Sequence, residues 1–126
     1  MAIIPKKEFF DLSTGHIKHS DDDLLRRCAK CDSSDTEAHA LSIMVDAVDC
    51  GWIVTVMEDY QDYADSEMLR EFGFSLAFID LVRLASLRGV RGIWFDADAP
   101  RVRGLPYYSW TNLVNGEDEL LPEEGE

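Results

Sequence analysis

Cysteine is scarce: Cys28, Cys31 and Cys50 are the only three in 126 residues. An odd number, with two of them close together, does not make a secreted disulfide framework. No stretch approaches the ~20 apolar residues that cross a bilayer, and 1–10 has no long apolar core of the kind a secretory signal needs. These absences point to a cytoplasmic protein with no membrane segment. Bases are also few, 12 Lys and Arg against 25 Asp and Glu, for a net charge of −13. Such a field disfavours direct nucleic-acid binding and favours a protein partner with a basic surface. No P-loop, dinucleotide fingerprint, HExxH or serine elbow occurs, and no cofactor is expected.

What is present is a chain of one-domain length with an ordinary apolar fraction of 46%. The charge is unevenly spread. Residues 36–80 carry ten acids and only Arg70 as a base, whereas 81–106 carry five arginines and two aspartates. Residues 107–126 carry six acids and no base. A domain over 1–112 and an acidic flexible tail over 113–126 follow from this pattern.

Phe9, Phe10 and Leu12 before Ser-Thr-Gly read as a first strand. A helix follows, with Ser20 as cap and Asp23 as its box partner. Asp21–Asp23 sit at its positive end, and Arg26, Arg27 and Lys30 toward its negative end. "DSSDTE" interrupts it. Leu41, Ile43, Val45 and Ala47, then Trp52, Val54 and Val56, alternate as two antiparallel strands around Asp49–Gly51. "EDYQDYADSE" reads as a polar connection. Phe74, Phe78, Leu81 and Ala85 restore the helical period up to Gly89. "GIWFD" is the next strand, with "RVRGLPYYSW" returning beside it. The expected architecture is an α/β fold of the α+β type: a two-layer sandwich, mostly antiparallel sheet and two helices, in the order β-α-β-β-α-β-β.

Asp96 and Asp98 share a face if the strand is regular, so both could reach one divalent ion. The competing reading is a corner, since aspartate binds its own backbone in turns and Pro100 fixes φ. His16 would complete an acid–base unit if it approached Asp96. Cys28, Cys31, His39 and Cys50 are ligand types that zinc accepts, but C-x₂-C, seven residues, His, ten residues, Cys is no standard spacing. Tyr107, Tyr108 and Trp110, with acids around them, suit a protein interface.

Three stretches carry a resemblance: "LSTGHI" (Leu12–Ile17), "DCGWIVTV" (Asp49–Val56) and "WFDADAPRVRGLPYYSW" (Trp94–Trp110). With the helix between the last two, they resemble the DUF5983 family of small uncharacterised proteins, often encoded on plasmids and other mobile elements. The resemblance spans most of 9–110 and implies a setting of host or plasmid modulation, without a mechanism. The cysteine pair and the Glu-rich tail lie outside its pattern.

The residues therefore favour a non-enzymatic accessory protein, monomeric or homodimeric, that binds a basic protein partner, one version being nucleic-acid mimicry. Its contact residues would be Asp49, Glu58, Asp59, Asp62, Asp65, Glu67 and Glu71, with Tyr107, Tyr108 and Trp110. The alternative is a small metal-dependent hydrolase or phosphodiesterase using His16, Asp96 and Asp98.

Overall fold

Alternating apolar residues build the central sheet, and their phase decides which face is buried. The computed structural model describes residues 9–30, 34–114 and 117–121. Strands β1 (Phe9–Ser13), β2 (Ile43–Val48), β3 (Gly51–Val56) and β4 (Gly92–Asp96) form one sheet in the order β1-β4-β3-β2. β1 runs parallel to β4, while β3 is antiparallel to both its neighbours. One register row joins Leu12, Phe95, Trp52 and Ala47, and the next inward row joins Phe10, Ile93, Val54 and Val45. Most of these side chains enter a single apolar core with Leu25, Leu69, Phe78, Ile79, Val82 and Ala85 from the helices.

Helix α1 (His19–Lys30) lies against β2, α4 (Leu76–Arg88) against β3 and β4, and α3 (Asp62–Phe72) against α4. Ser75 caps α4 by accepting the Phe78 N–H at 3.3 Å, and Gly89 closes it at φ 73°. Phe74, Phe78 and Phe95 stack in sequence from helix to sheet, the first pair with ring centroids 4.2 Å apart. β3 and β4 are antiparallel neighbours joined through α3 and α4. The paired helices carry the chain away and return it to the same end of the sheet.

The expected two-helix, mostly antiparallel sandwich is corrected on three counts. Among the described residues there are four α-helices, the four-stranded sheet is mixed, and β5 (Tyr108–Val114) pairs with β6 (Glu117–Leu120) in a separate two-stranded sheet instead of beside β4. The extra helices come from segments that read as polar linkers. Asp35 caps the one-turn α2 (Thr36–His39) by accepting the Ala38 N–H, and is itself clamped by Arg27 at 2.9 Å. α3 buries little besides Leu69, and its folding rests on contacts beyond its own sequence: Asp62 pairs with Arg83 of α4 at 2.8 Å, and Asp65 accepts from Ser42 at 2.9 Å. The tail boundary expected at residue 112 falls inside β5. Residues 115–116 and 122–126 of that tail lie outside the described residues.

The β2–β3 hairpin turns on Asp49 and Cys50. Cys50 takes φ 61°, a left-handed conformation that a side chain disfavours. Gly51 follows because its Cβ position is filled by the Phe95 carbonyl oxygen. Cys50→Gly should raise stability by about 0.5–1 kcal/mol in a urea titration, since relief of the left-handed strain outweighs the added freedom of the unfolded chain. An unchanged or lowered midpoint would contradict this account of the turn.

Candidate functional site

β1, β2 and β4 point the same way, so their carboxyl ends meet along one edge of the sheet. Open α/β sheets collect ligands at such edges. A pocket of about 300 Å³ lies here, lined by Thr14, Asp22, Arg26, Cys50, Trp52 and Ala97 among others. A pocket of about 320 Å³ beside α2 and α3 has only Glu37 and Glu71 as titratable lining groups. The first is the more promising because its wall continues into a set of convergent ligands.

That set stands on the first turn of α1. His19, Asp22 and Asp23 are spaced i, i+3, i+4, which places them on one helix face. One ligand atom from each lies within 4.8 Å of the others, so together they could hold a metal ion. The helix starts one residue before the expected Ser20 cap. The Lys18 N–H donates to Asp21 Oδ2 at 2.9 Å, fixing the turn. Asp22 is buried, and its Oδ1 accepts the Trp52 Nε1–H at 2.7 Å, which sets its rotamer. Arg26 bonds the same acids, reaching Asp22 Oδ2 at 3.0 Å and Asp23 Oδ1 at 3.3 Å. His19 is exposed and stacks on Trp110, the ring centroids 5.2 Å apart. One imidazole and two carboxylates are a donor set for a borderline divalent cation such as Zn²⁺ or Mn²⁺.

This cluster corrects the expectation that the chain is more a binder than an enzyme: a triad able to hold a metal gives it catalytic potential. The spacing was legible in "HSDDD", but the three acids there are equally what a helix dipole attracts.

The residues proposed earlier for metal and acid–base work are not the ones brought together. His16 is 1% exposed, with Nδ1–H donating to the Pro106 carbonyl at 2.7 Å and Nε2 accepting the Val102 N–H at 2.9 Å. Both ring nitrogens are thus committed to backbone. Burial, aided by the Arg101 charge, lowers its pKa below 6.5 despite the Pro106 bond. Asp96 Oδ1 accepts the Asp98 N–H at 2.9 Å, the corner geometry of an aspartate turn. Among the described residues, neither His16, Asp96 and Asp98 nor Cys28, His39 and Cys50 form a converging ligand group. Cys31 lies outside the described residues.

The acids proposed for a partner are variously engaged. Asp62 pairs with Arg83, Glu67 with Arg70 at 2.8 Å, and Asp65 reaches back to Ser42 and the Gln61 N–H. Asp49, Glu58, Asp59 and Glu71 are exposed, Asp49 at the β2–β3 turn and the others in or just before α3. Tyr108 and Trp110 stand in β5, and Tyr107 directly precedes it. Tyr107 OH and Ser13 Oγ are 3.2 Å apart, Lys18 lies over the Tyr108 ring, and Trp110 Nε1–H donates to the Ile17 carbonyl at 2.9 Å.

No helix among the described residues is long and apolar enough to cross a membrane. No curated protein and no solved structure matches the chain. Residues 9–110 match the family described as a family of unknown function (DUF5983), C-terminal domain, and the chain belongs to that family.

Proposed function

We propose that this chain is a small metal-dependent hydrolase of phosphoesters. The observation that carries the reading is the convergence of His19, Asp22 and Asp23 on one turn, with Asp22 also lining the carboxyl-edge pocket. A divalent cation held there would lower the pKa of its bound water toward neutrality and supply the nucleophile. Arg26 is the natural second component. Arg26 bonds the Asp22 and Asp23 oxygens and lines the pocket; a cation held by those oxygens would free its guanidinium, a fork suited to phosphate oxygens. Asp22 orients through Trp52, as ligands of metal sites generally need a fixing partner. The mobile-element setting implied by the resemblance belongs to this proposal as its biological context, where phosphoesters are abundant.

Calorimetric titration with Mn²⁺ and Zn²⁺, and hydrolysis of bis(4-nitrophenyl) phosphate, test the reading. Asp23→Asn is the cleanest variant because Asp23 is exposed and bonded to Arg26 alone in the contacts described above. It should weaken cation binding at least tenfold and reduce turnover about 100-fold at matched folding, if one ligand carries the usual share of the ion's electrostatic effect. Arg26→Gln should split the two readouts, tightening the cation while lowering turnover. Cation binding that is absent in the wild type, or equally strong in Asp23→Asn, would overturn the site.

A further inference from the structure

The second surface of the sheet, opposite the helices, carries an ordered pattern of its own. Its central row follows from the strand register: Asp11 pairs with Trp94, Trp94 with Ile53, and Ile53 with Asp46. The row therefore reads acid, aromatic, aliphatic, acid across all four strands. With strands ~4.8 Å apart, its ends are about 14 Å from each other. Trp94 is 41% exposed and Met44 53% exposed, both unusual for large apolar side chains on a sheet. The neighbouring row joins Phe9, Gly92, Thr55 and Met44. Gly92 is buried, and the Val54 carbonyl oxygen fills the place a Cβ would take, so this row is closed by backbone between Phe9 and Thr55. Arg91 lies over the Phe9 ring and bounds that end.

We propose that this face docks a cationic amphipathic helix of a protein partner, its apolar stripe over Trp94 and Ile53 and its Lys or Arg residues over Asp11 and Asp46. The charges select among occupants. A nucleic acid would find aromatics to stack on but a carboxylate at each end of the row, where it needs cations. A second copy related by a two-fold axis would lay Asp11 of one molecule toward Asp46 of the other, setting like charges together between two chains that each carry −13. A helix laid across the strands spans 14 Å in about nine residues, so basic residues about three turns apart on one face, their stems leaning inward, meet both acids. Apolar burial at the centre supplies affinity, and the flanking carboxylates supply orientation and partner choice. This surface is separate from the metal cluster and from the acids of α3.

The test uses the whole chain and a synthetic 18-residue Leu/Lys amphipathic helix, with the Leu/Glu version as control. Binding should shift tryptophan emission to the blue, and Trp94→Phe should bind while losing most of that shift, because Trp52 is already buried. Asp11→Lys with Asp46→Lys should weaken the Lys peptide at least tenfold. Glu37→Lys with Asp80→Lys, which changes net charge equally on α2 and α4, should leave it within twofold. Circular dichroism of both pairs confirms folding, and Trp94→Ala supplies a charge-neutral check, expected at least tenfold weaker. Equal loss from the two charge pairs, no binding of the Lys peptide, or preferred binding of single-stranded RNA would overturn the proposal. So would light scattering that shows a dimer strengthened by Asp11→Lys with Asp46→Lys.

Discussion

Asp21→Ala is expected to lower the unfolding free energy by about 3–5 kcal/mol, a large share of what holds a domain of this size together. Asp21 has no solvent exposure, yet it sits on the first turn of a helix where an acid would normally be wet. Its Oδ1 accepts the Ser75 N–H at 2.8 Å, and its Oδ2 accepts the Ser75 hydroxyl at 2.6 Å and the Lys18 N–H at 2.9 Å. One carboxylate thereby ties the start of α1 to the cap of α4, 54 positions away. Alanine would leave three donors without that partner, each costing about 1–3 kcal/mol if it stays dry. Asp21→Asn keeps the shape and one acceptor, so it should cost about half as much. The pH dependence has a definite sign. Burial raises the Asp21 pKa, outweighing the Ser75 and Lys18 bonds that lower it. The fold therefore binds this proton more readily than the unfolded chain does. The contribution is complete below 3.8 and is lost as pH rises through the folded value. Guanidinium titrations of the wild type and Asp21→Asn from pH 4 to pH 7 measure it. A cost near zero for Asp21→Ala would mean that water replaces the carboxylate and that the tie is cosmetic.

The Asp21 tie also shows where the sequence stopped being readable. Its acids were legible as partners of the α1 dipole, and the same three residues hold three different jobs: Asp21 crosses to α4, Asp22 reaches Trp52, and Asp23 stays at the surface. Nothing local separates these roles, because each is set by what the sheet and α4 bring alongside. The β2–β3 hairpin was legible because alternation and a two-residue turn are local signals, and α4 because its apolar face repeats within the element. α3 was not, since Asp62–Phe72 is polar enough to pass for a loop and is held by Arg83 and Ser42 from other segments. The parallel pairing of β1 with β4 was equally hidden, as Phe9 and its register partner Gly92 stand 83 positions apart. For the candidate site the limit was chemical. His19, Asp22 and Asp23 have the right spacing for one face, but a first-turn acid cluster has an ordinary electrostatic reason to exist.

His16→Phe should cost about 2–4 kcal/mol at pH 7.5 and flatten the dependence of stability on acid between pH 7.5 and pH 5. The imidazole is neutral with its proton on Nδ1, because the Pro106 carbonyl needs a donor and the Val102 N–H needs an acceptor. Phenylalanine fills the volume and leaves both backbone groups without their partner. Protonating the native ring places a proton on Nε2, facing the Val102 N–H, and sets a cation near Arg101, which lies over Tyr107, the ring packed edge-on against His16. The folded pKa is accordingly below 6.5, so the unfolded chain binds more protons just beneath that value. Stability from this group is fully present above 6.5 and is lost as pH falls through the folded pKa. Asp35 and Asp62, whose pKa values are lowered by Arg27 and Arg83, lose their contribution only below 3.8 and leave this window alone. Asp21 works in the opposite direction, which makes the difference between wild type and His16→Phe the informative quantity. Urea midpoints at four pH values supply it. Parallel curves for the two proteins would mean that His16 fills space without clamping the 101–107 segment, and the neutral tautomer would have to be abandoned.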